Sequence, residues 1–317
     1  MMTVHHEPVM TEEVLHYLDT PARKRVVDGT VGGGGHASEI LRASDTVELL
    51  GIDRDEDALE TAKKRLEPYR SRIRLVQGAY SGLADYCREA GWDSVDAVLL
   101  DLGVSSHQID TPARGFSHRT DGPLDMRMDR RSPTTAAKIL NESTEDELTR
   151  IFREYGEERN ARRVARAVVR RRAEKPWSRT GDFAELINRV VGHSGRHGPP
   201  PATRCFQALR IAVNRELDEL RDGLAAAEQM VEPGGRIVVI SFHSLEDRIV
   251  KQAFRYGEAT CVCPPDMPVC RCGKKATLRT LTRKPVRPTA AEVANNRRAA
   301  SAKLRAAEKL NQAETSG

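Results

Sequence analysis

The sequence predicts an α/β fold: a mostly parallel sheet covered by helices on both faces and interrupted by an all-helical insertion. Three observations predict it. Apolar strand-like runs alternate with amphipathic runs over residues 25–101, strand signals stop from Asp110 to about Arg204, and the alternation resumes at Arg236–Ser241. Continuous apolar strands separated by helices imply parallel strands buried on both faces.

Taken in order, Arg25–Asp28 reads as a short buried strand ending at a glycine run, and Ala37–Ala43 as a helix. Glu48–Asp53 is a second strand, followed by an amphipathic helix over Asp55–Leu66 with Asp55 as its N-cap. Ile73–Val76, Gly82–Ala90 and Val95–Asp101 continue as strand, helix and strand. A segment punctuated by glycine and proline runs from Gly115 to Pro133, then helices are expected near Thr144–Arg153, Glu157–Ala173 and Asp182–Val190. Gly192–Pro201, with three consecutive prolines, must be a loop. One long helix from about Cys205 to Met230 follows, then Pro233-Gly234-Gly235, a strand at Arg236–Ser241 and a helix at Glu246–Tyr256. The expected organisation is one discontinuous domain, residues 1–109 with 205–317, around a helical insertion over 110–204, without internal repeats.

The chain has 317 residues, of which 31% are charged and 4% aromatic, which suits a helix-rich enzyme better than a β-sandwich. No stretch approaches the length of apolar sequence that spans a membrane, and Met1–Leu18 lacks the apolar core of a signal peptide, so a cytoplasmic location is expected. The net charge of +5 says less than its distribution. Lys274–Lys309 holds eleven basic residues against two acids, and Arg150–Lys175 ten against four. Segregated basic charge reads as a footprint for a polyanion, a solvated helix face being the alternative for Arg150–Lys175.

The glycine run follows a strand and precedes a helix, the context a nucleotide-binding turn requires. It can be aligned to G-x-G-x-x-A at Gly32, Gly34 and Ala37, so a dinucleotide and a purely structural turn both stay open. Three acids add direction: Asp28 before the glycines, Asp53 at the end of the second strand, where it can accept both hydroxyls of a ribose, and Asp101 at the end of the fourth. An adenosine bearing an amino-acid tail suits those strand ends. A pyrophosphate would prefer basic partners, and the loop supplies none besides His36.

Several long blocks are similar to one family. They are Asp28-Gly-Thr-Val-Gly-Gly-Gly-Gly-His36, Leu99-Leu-Asp-Leu-Gly-Val-Ser-Ser-His-Gln108, Arg114-Gly-Phe-Ser117, Asp121-Gly-Pro-Leu-Asp-Met-Arg-Met-Asp129 and Tyr155-Gly-Glu-Glu-Arg159. Pro201-Ala-Thr-Arg-Cys-Phe-Gln-Ala-Leu-Arg-Ile211, Asn214-Arg-Glu-Leu217 and Ile240-Ser-Phe-His-Ser-Leu-Glu-Asp-Arg248 extend the likeness. Together they resemble the bacterial small-subunit ribosomal RNA cytosine N4-methyltransferases, the MraW or RsmH family. The resemblance implies a Rossmann-like class I methyltransferase domain with an inserted helical domain, S-adenosylmethionine as cofactor, and 16S ribosomal RNA within the small subunit as partner. It also implies N4-methylation of a decoding-centre cytosine. Carried over by position, the cofactor contacts would be Gly34, Gly35, His36, Asp53, Tyr80, Asp101 and Gln108. A homodimer is left open.

The exocyclic amine of cytosine is a poor nucleophile, because its lone pair is delocalised into the ring, and an acceptor for an N4 proton would help it. Many amino-methyltransferases place Asp/Asn-Pro-Pro-Tyr after the fourth strand, whereas here the place is held by Asp101-Leu102-Gly103-Val104. The catalytic expectation is that Asp101 or a neighbouring carbonyl accepts from N4 while His243 helps hold the base. A strand-end histidine satisfied by Glu246 or Asp247 is the plainer reading of His243. Carbon methylation would need a cysteine nucleophile near the fourth strand end. Cys87 and Cys205 fall in helices and do not fit.

Cys261, Cys263, Cys270 and Cys272 form two C-x-C pairs that could hold zinc, a proline-stiffened loop with reduced thiols being the alternative. The basic C-terminal tail, from about 274, is expected to contact phosphates. Arg159, Arg162, Arg163 and Arg166 make the helical insertion the expected substrate-recognition module. An oxidoreductase using a dinucleotide, and a nucleic-acid-binding protein without catalysis, are the competing classes.

Overall fold

The structure, a computed structural model, describes residues 8–192, 200–264, 269 and 271–311. The chain forms two compact units: Met1–Gly103 with Leu217–Gly317, and Val104–Glu216.

The first unit is built on a seven-stranded sheet of order β3-β2-β1-β4-β5-β7-β6. Its strands are β1 (Arg25–Asp28), β2 (Glu48–Asp53), β3 (Ile73–Gln77), β4 (Val95–Asp101), β5 (Val231–Ser241), β6 (Leu278–Thr280) and β7 (Lys303–Lys309). The five from β3 to β5 are parallel, and β7 runs antiparallel between β5 and β6. Successive residues feed opposite faces, so Val26, Leu49, Leu99 and Ile240 enter one buried cluster while Val27, Leu50, Val98 and Val239 enter another. Each such side chain contributes about 1.5–3 kcal/mol on burial, which is why these strands read as unbroken apolar runs. The helices of this unit are α1 (Thr11–Leu18), α2 (Gly35–Ala43), α3 (Glu56–Arg65), α4 (Leu83–Glu89), α11 (Glu216–Met230), α12 (Ser244–Glu258) and α13 (Ala290–Asn295). Asp55 caps α3 as expected, its side chain accepting from the Asp57 N–H.

The second unit is helical: α5 (Ser106–Asp110), α6 (Ala136–Glu142), α7 (Glu145–Glu154), α8 (Ala161–Arg172), α9 (Thr180–Val191) and α10 (Pro201–Asn214). Thr144 and Glu147 close a capping box at the start of α7. Phe183 organises the core, with ring centroids 6.1 Å from Phe152, 5.7 Å from Trp177 and 5.4 Å from Phe206. The buried Trp177 indole keeps a partner by donating to the Val168 carbonyl at 3.2 Å.

Several features depart from the sequence reading, among them the start of α10 at Pro201 rather than Cys205. The single helix expected over Cys205–Met230 is two, because Arg215 adopts φ 50°, a left-handed conformation that ends α10. Asn214 locks that end, accepting from the Met128 N–H and donating to the Met126 and Arg210 carbonyls, all at 2.8–2.9 Å. Strand β5 starts at Val231, and Pro233-Gly234-Gly235 bulges within it, since Val95 pairs with Val231 but Ala97 with Arg236. The basic tail re-enters the sheet: β7 is paired on both sides, between β5 and β6, with Leu304, Arg305, Ala306 and Ala307 buried. Its alternation of charge with small residues hid a strand whose apolar content is mostly alanine. Gly195, Gly198 and Cys270 lie outside the described residues.

Candidate functional site

Strands β1, β2 and β4 each end on a carboxylate, and the glycine turn is fastened across all three. Gly29 N–H donates to the Leu99 carbonyl at 2.9 Å, Val31 N–H to Ile52 at 2.9 Å, and Gly34 N–H to Val31 at 2.8 Å. Gly32 and Gly34 take φ of +52° and +80°, which a side chain would resist. A Cβ at Gly34 would sit 3.0 Å from Leu66, and one at Gly33 would sit 3.3 Å from Thr61, so these glycines also let α3 pack against the turn.

Asp53 is held by the loop it supports. Its Oδ2 accepts from Gly32 N–H at 2.9 Å and its Oδ1 from Asp55 N–H at 2.8 Å, while removal from water pushes the carboxyl up to about 6. Asp28 is buried and accepts from Thr30 N–H at 3.1 Å. Burial pushes it up to about 7, with the His36 ring opposing. Asp101 donates its N–H to Thr30 Oγ1 at 2.6 Å, and its Oδ2 lies 3.5 Å from His36 Nε2. Burial works against protonation of His36, but Asp101 and Asp28 outweigh it and raise the imidazole above its ordinary value. Both ring nitrogens of His36 and Oδ1 of Asp101 are buried without a hydrogen-bond partner. Such atoms are costly to leave unsatisfied, and here they adjoin a glycine turn at a sheet's carboxyl edge. Nearby in sequence, the Arg54 cation is engaged by Glu219 at 3.4 Å. The three carboxylates fit hydroxyls and a cationic group, and the cation beside the turn is Arg65, whose Nη1 would lie 3.3 Å from a Cβ at Gly35.

Tyr80 opens a short 3-10 turn after β3, and one edge of its ring packs against α11, where a Cβ on Gly223 would come within 2.3 Å of Cδ2 and 2.6 Å of Cε2. Gly34, Gly35, His36, Asp53, Tyr80 and Asp101 all belong to the first unit. Gln108 belongs to the second, where it completes a capping box on α5: its Oε1 accepts from Ser105 N–H at 3.0 Å, and its own N–H donates to Ser105 Oγ at 3.2 Å. His243 stands beyond the end of β5, whose Ile240 pairs with Asp101, and it caps α12. Its Nδ1 accepts from Glu246 N–H at 3.4 Å, and Nε2 is 3.1 Å from Glu246 Oε1. Asp247 is committed elsewhere, to Arg305 at 2.7 Å and Lys303 at 3.3 Å. Cys87 and Cys205 are buried in α4 and α10, and burial raises both thiols, Cys87 to about 11. Neither is a ready nucleophile.

Sequence reasoning passed over Thr30, which links the turn to Asp101. Its only signal was a hydroxyl two residues after Asp28.

A doubly wound sheet with one antiparallel strand between its fifth and sixth members, and acids closing its first, second and fourth strands, is the Rossmann-like class I methyltransferase arrangement. The chain is an enzyme of that class. Residues 3–310 match the MraW methylase family, and the chain belongs to it. A relative from Carboxydothermus hydrogenoformans, named Ribosomal RNA small subunit methyltransferase H, is 51% identical over 98% of this chain and 99% of its own length. One of the same name from Geobacter sulfurreducens is 52% identical over 98% of this chain and all of its own. A solved rRNA methylase from Streptococcus thermophilus aligns with a TM-score of 0.38 at 12% identity, over 95% of this chain and 94% of that one.

Proposed function

We propose that the chain transfers a methyl group from S-adenosylmethionine to the N4 amine of a decoding-centre cytosine in 16S ribosomal RNA, within the small subunit. The observation that carries this reading is the set of three strand-end carboxylates around a turn without Lys or Arg. The names of the relatives support the RNA class.

When bound, the cofactor supplies a methyl group already activated on a sulfonium. The protein's work is then binding, alignment and exclusion of water. Asp53 accepts the ribose hydroxyls, Asp28 balances the ammonium, and Tyr80 covers the adenine. Gly34, Gly35 and His36 line the turn, and Gln108 joins this set on the family resemblance. Asp101, at the carboxyl end of β4, would accept the proton that the N4 amine gives up on methylation. His243 helps hold the base. The exposed arginines of the helical unit, Arg159, Arg162, Arg163 and Arg166, meet the phosphates.

Mass spectrometry of ribosomal RNA nucleosides from cells lacking the chain tests the reaction. N4-methylcytidine is expected to disappear from 16S RNA, and its persistence would overturn the assignment. Calorimetry separates the cofactor classes: adenosylmethionine binds and NAD does not.

A further inference from the structure

We propose that Cys261, Cys263 and Cys272 bind a zinc ion as thiolates, in a knuckle between α12 and β6 that plays no part in methyl transfer. The three sulfur atoms lie within 4.8 Å of one another. None is in a disulfide, and Cys261 Sγ and Cys272 Sγ are 3.9 Å apart, far beyond the S–S bond of about 2.05 Å. With zinc–sulfur bonds of about 2.3 Å at tetrahedral angles, two ligating sulfurs stand about 3.8 Å apart, a separation that the Cys261 and Cys272 sulfurs already match.

The backbone around these sulfurs points the same way. Cys263 N–H is directed at Cys261 Sγ at 3.4 Å, and Val262 N–H at Cys272 Sγ at 3.5 Å. Hydrogen bonds donated to sulfur favour the thiolate, the form a metal needs. Gly273, directly after the last cysteine, turns the chain at φ +60°. The base of the loop is closed by Thr277 N–H donating to the Gly257 carbonyl at 2.7 Å, which fixes where the chain leaves α12 and where it returns toward β6. Lys274 lies 4.2 Å over the Tyr256 ring across the same neck. Three thiolates select a soft or borderline ion over magnesium or calcium, and zinc asks for no redox partner. Each thiol releases one proton to solvent as its zinc–sulfur bond forms, and no electron moves. Cys270, the fourth cysteine of the pattern, lies outside the described residues.

The test uses the full chain, purified reduced and without chelators. Elemental analysis is expected to find one zinc per chain. Replacement by cobalt is expected to give the intense visible absorption of tetrahedral thiolate coordination. The triple variant Cys261→Ser/Cys263→Ser/Cys272→Ser should lose both signals, while Cys87→Ser keeps them. Chelation should lower the melting temperature of the wild type and leave that of the triple variant unchanged. Zinc well below one equivalent even after reconstitution, no thiolate band with cobalt, or full metal retention in the triple variant would each overturn the site. The cobalt spectrum of the wild type decides even if the variant fails to fold, and every readout is independent of methyl transfer.

Discussion

Asp28 is the residue whose titration says most. An acid whose folded value stands near 7 against an ordinary 3.8 holds its proton longer in the folded chain than in the unfolded one. Its contribution to stability is therefore complete below pH 3.8 and is lost as pH rises toward 7. A bound cation would favour the charged carboxylate and reverse that preference. Adenosylmethionine affinity is accordingly expected to rise up to about tenfold per pH unit between pH 6 and 7, then level off. In Asp28→Asn the remaining dependence should end near pH 6, where Asp53 titrates. Calorimetry across pH decides it, and a wild-type affinity flat from pH 6 to 8 would remove the ammonium role. Gly223 gives a second residue-scale prediction. Gly223→Ala should gain about 1 kcal/mol of helix propensity but lose about 1–3 kcal/mol by pushing on Tyr80. The expected outcome is a net loss in denaturant melts, together with weaker cofactor binding. The three acids were legible because each ends an apolar run. The orphaned atoms of His36 and Asp101 were not, since they depend on α2 meeting β4 some sixty-five residues away.

At the scale of elements, periodicity served the sequence well where one face or both were apolar, and poorly where the signal was one backbone angle or a run of alanines. Strands β1, β2 and β4 were bounded as observed because their apolar residues are all buried. The break at Arg215 carried no Gly or Pro and is made by Asn214, whose partners are 86 and 88 residues away. The same long-range dependence holds in the Tyr155-Gly-Glu-Glu-Arg159 and Pro201-Ala-Thr-Arg204 blocks, which meet as one ion pair. Glu158 is fully buried and receives Arg204 Nε and Nη2 at 2.8 and 2.6 Å, while its other oxygen accepts from Asn160 N–H at 2.8 Å. Removing the cation strands a buried carboxylate. Arg204→Ala should cost about 3 kcal/mol, the low end for such pairs because Arg204 keeps partial exposure. Urea melts should show part of that loss restored by adding Glu158→Gln. A single variant within about 0.5 kcal/mol of wild type would mean the pair is dispensable.

For the whole molecule, the basic segments of the sequence divide once their partners are known. Within 274–309, Lys303 and Arg305 hold Asp247 below the usual carboxylate range against the opposing effect of burial. Lys309 donates to the Glu228 carbonyl at 2.7 Å, and Arg279 pairs with Glu308. These residues have partners in the sheet and helices around β7. Arg283, Lys284 and Arg287 are exposed, and none has an ion pair among the described residues. A polyanion would meet these three, and each phosphate contact adds about 0.7–0.9 to the slope of log affinity against log salt. Replacing Arg283, Lys284 and Arg287 by Gln should lower that slope for 16S RNA by about 2, with unchanged melting temperature. Replacing Lys303 and Arg305 should lower the melting temperature and leave the slope of the remaining folded protein as it was. Filter binding over a salt series, paired with thermal melts, separates the two sets. If the slope fell equally in both, the division between a structural strand and a phosphate-facing surface would fail.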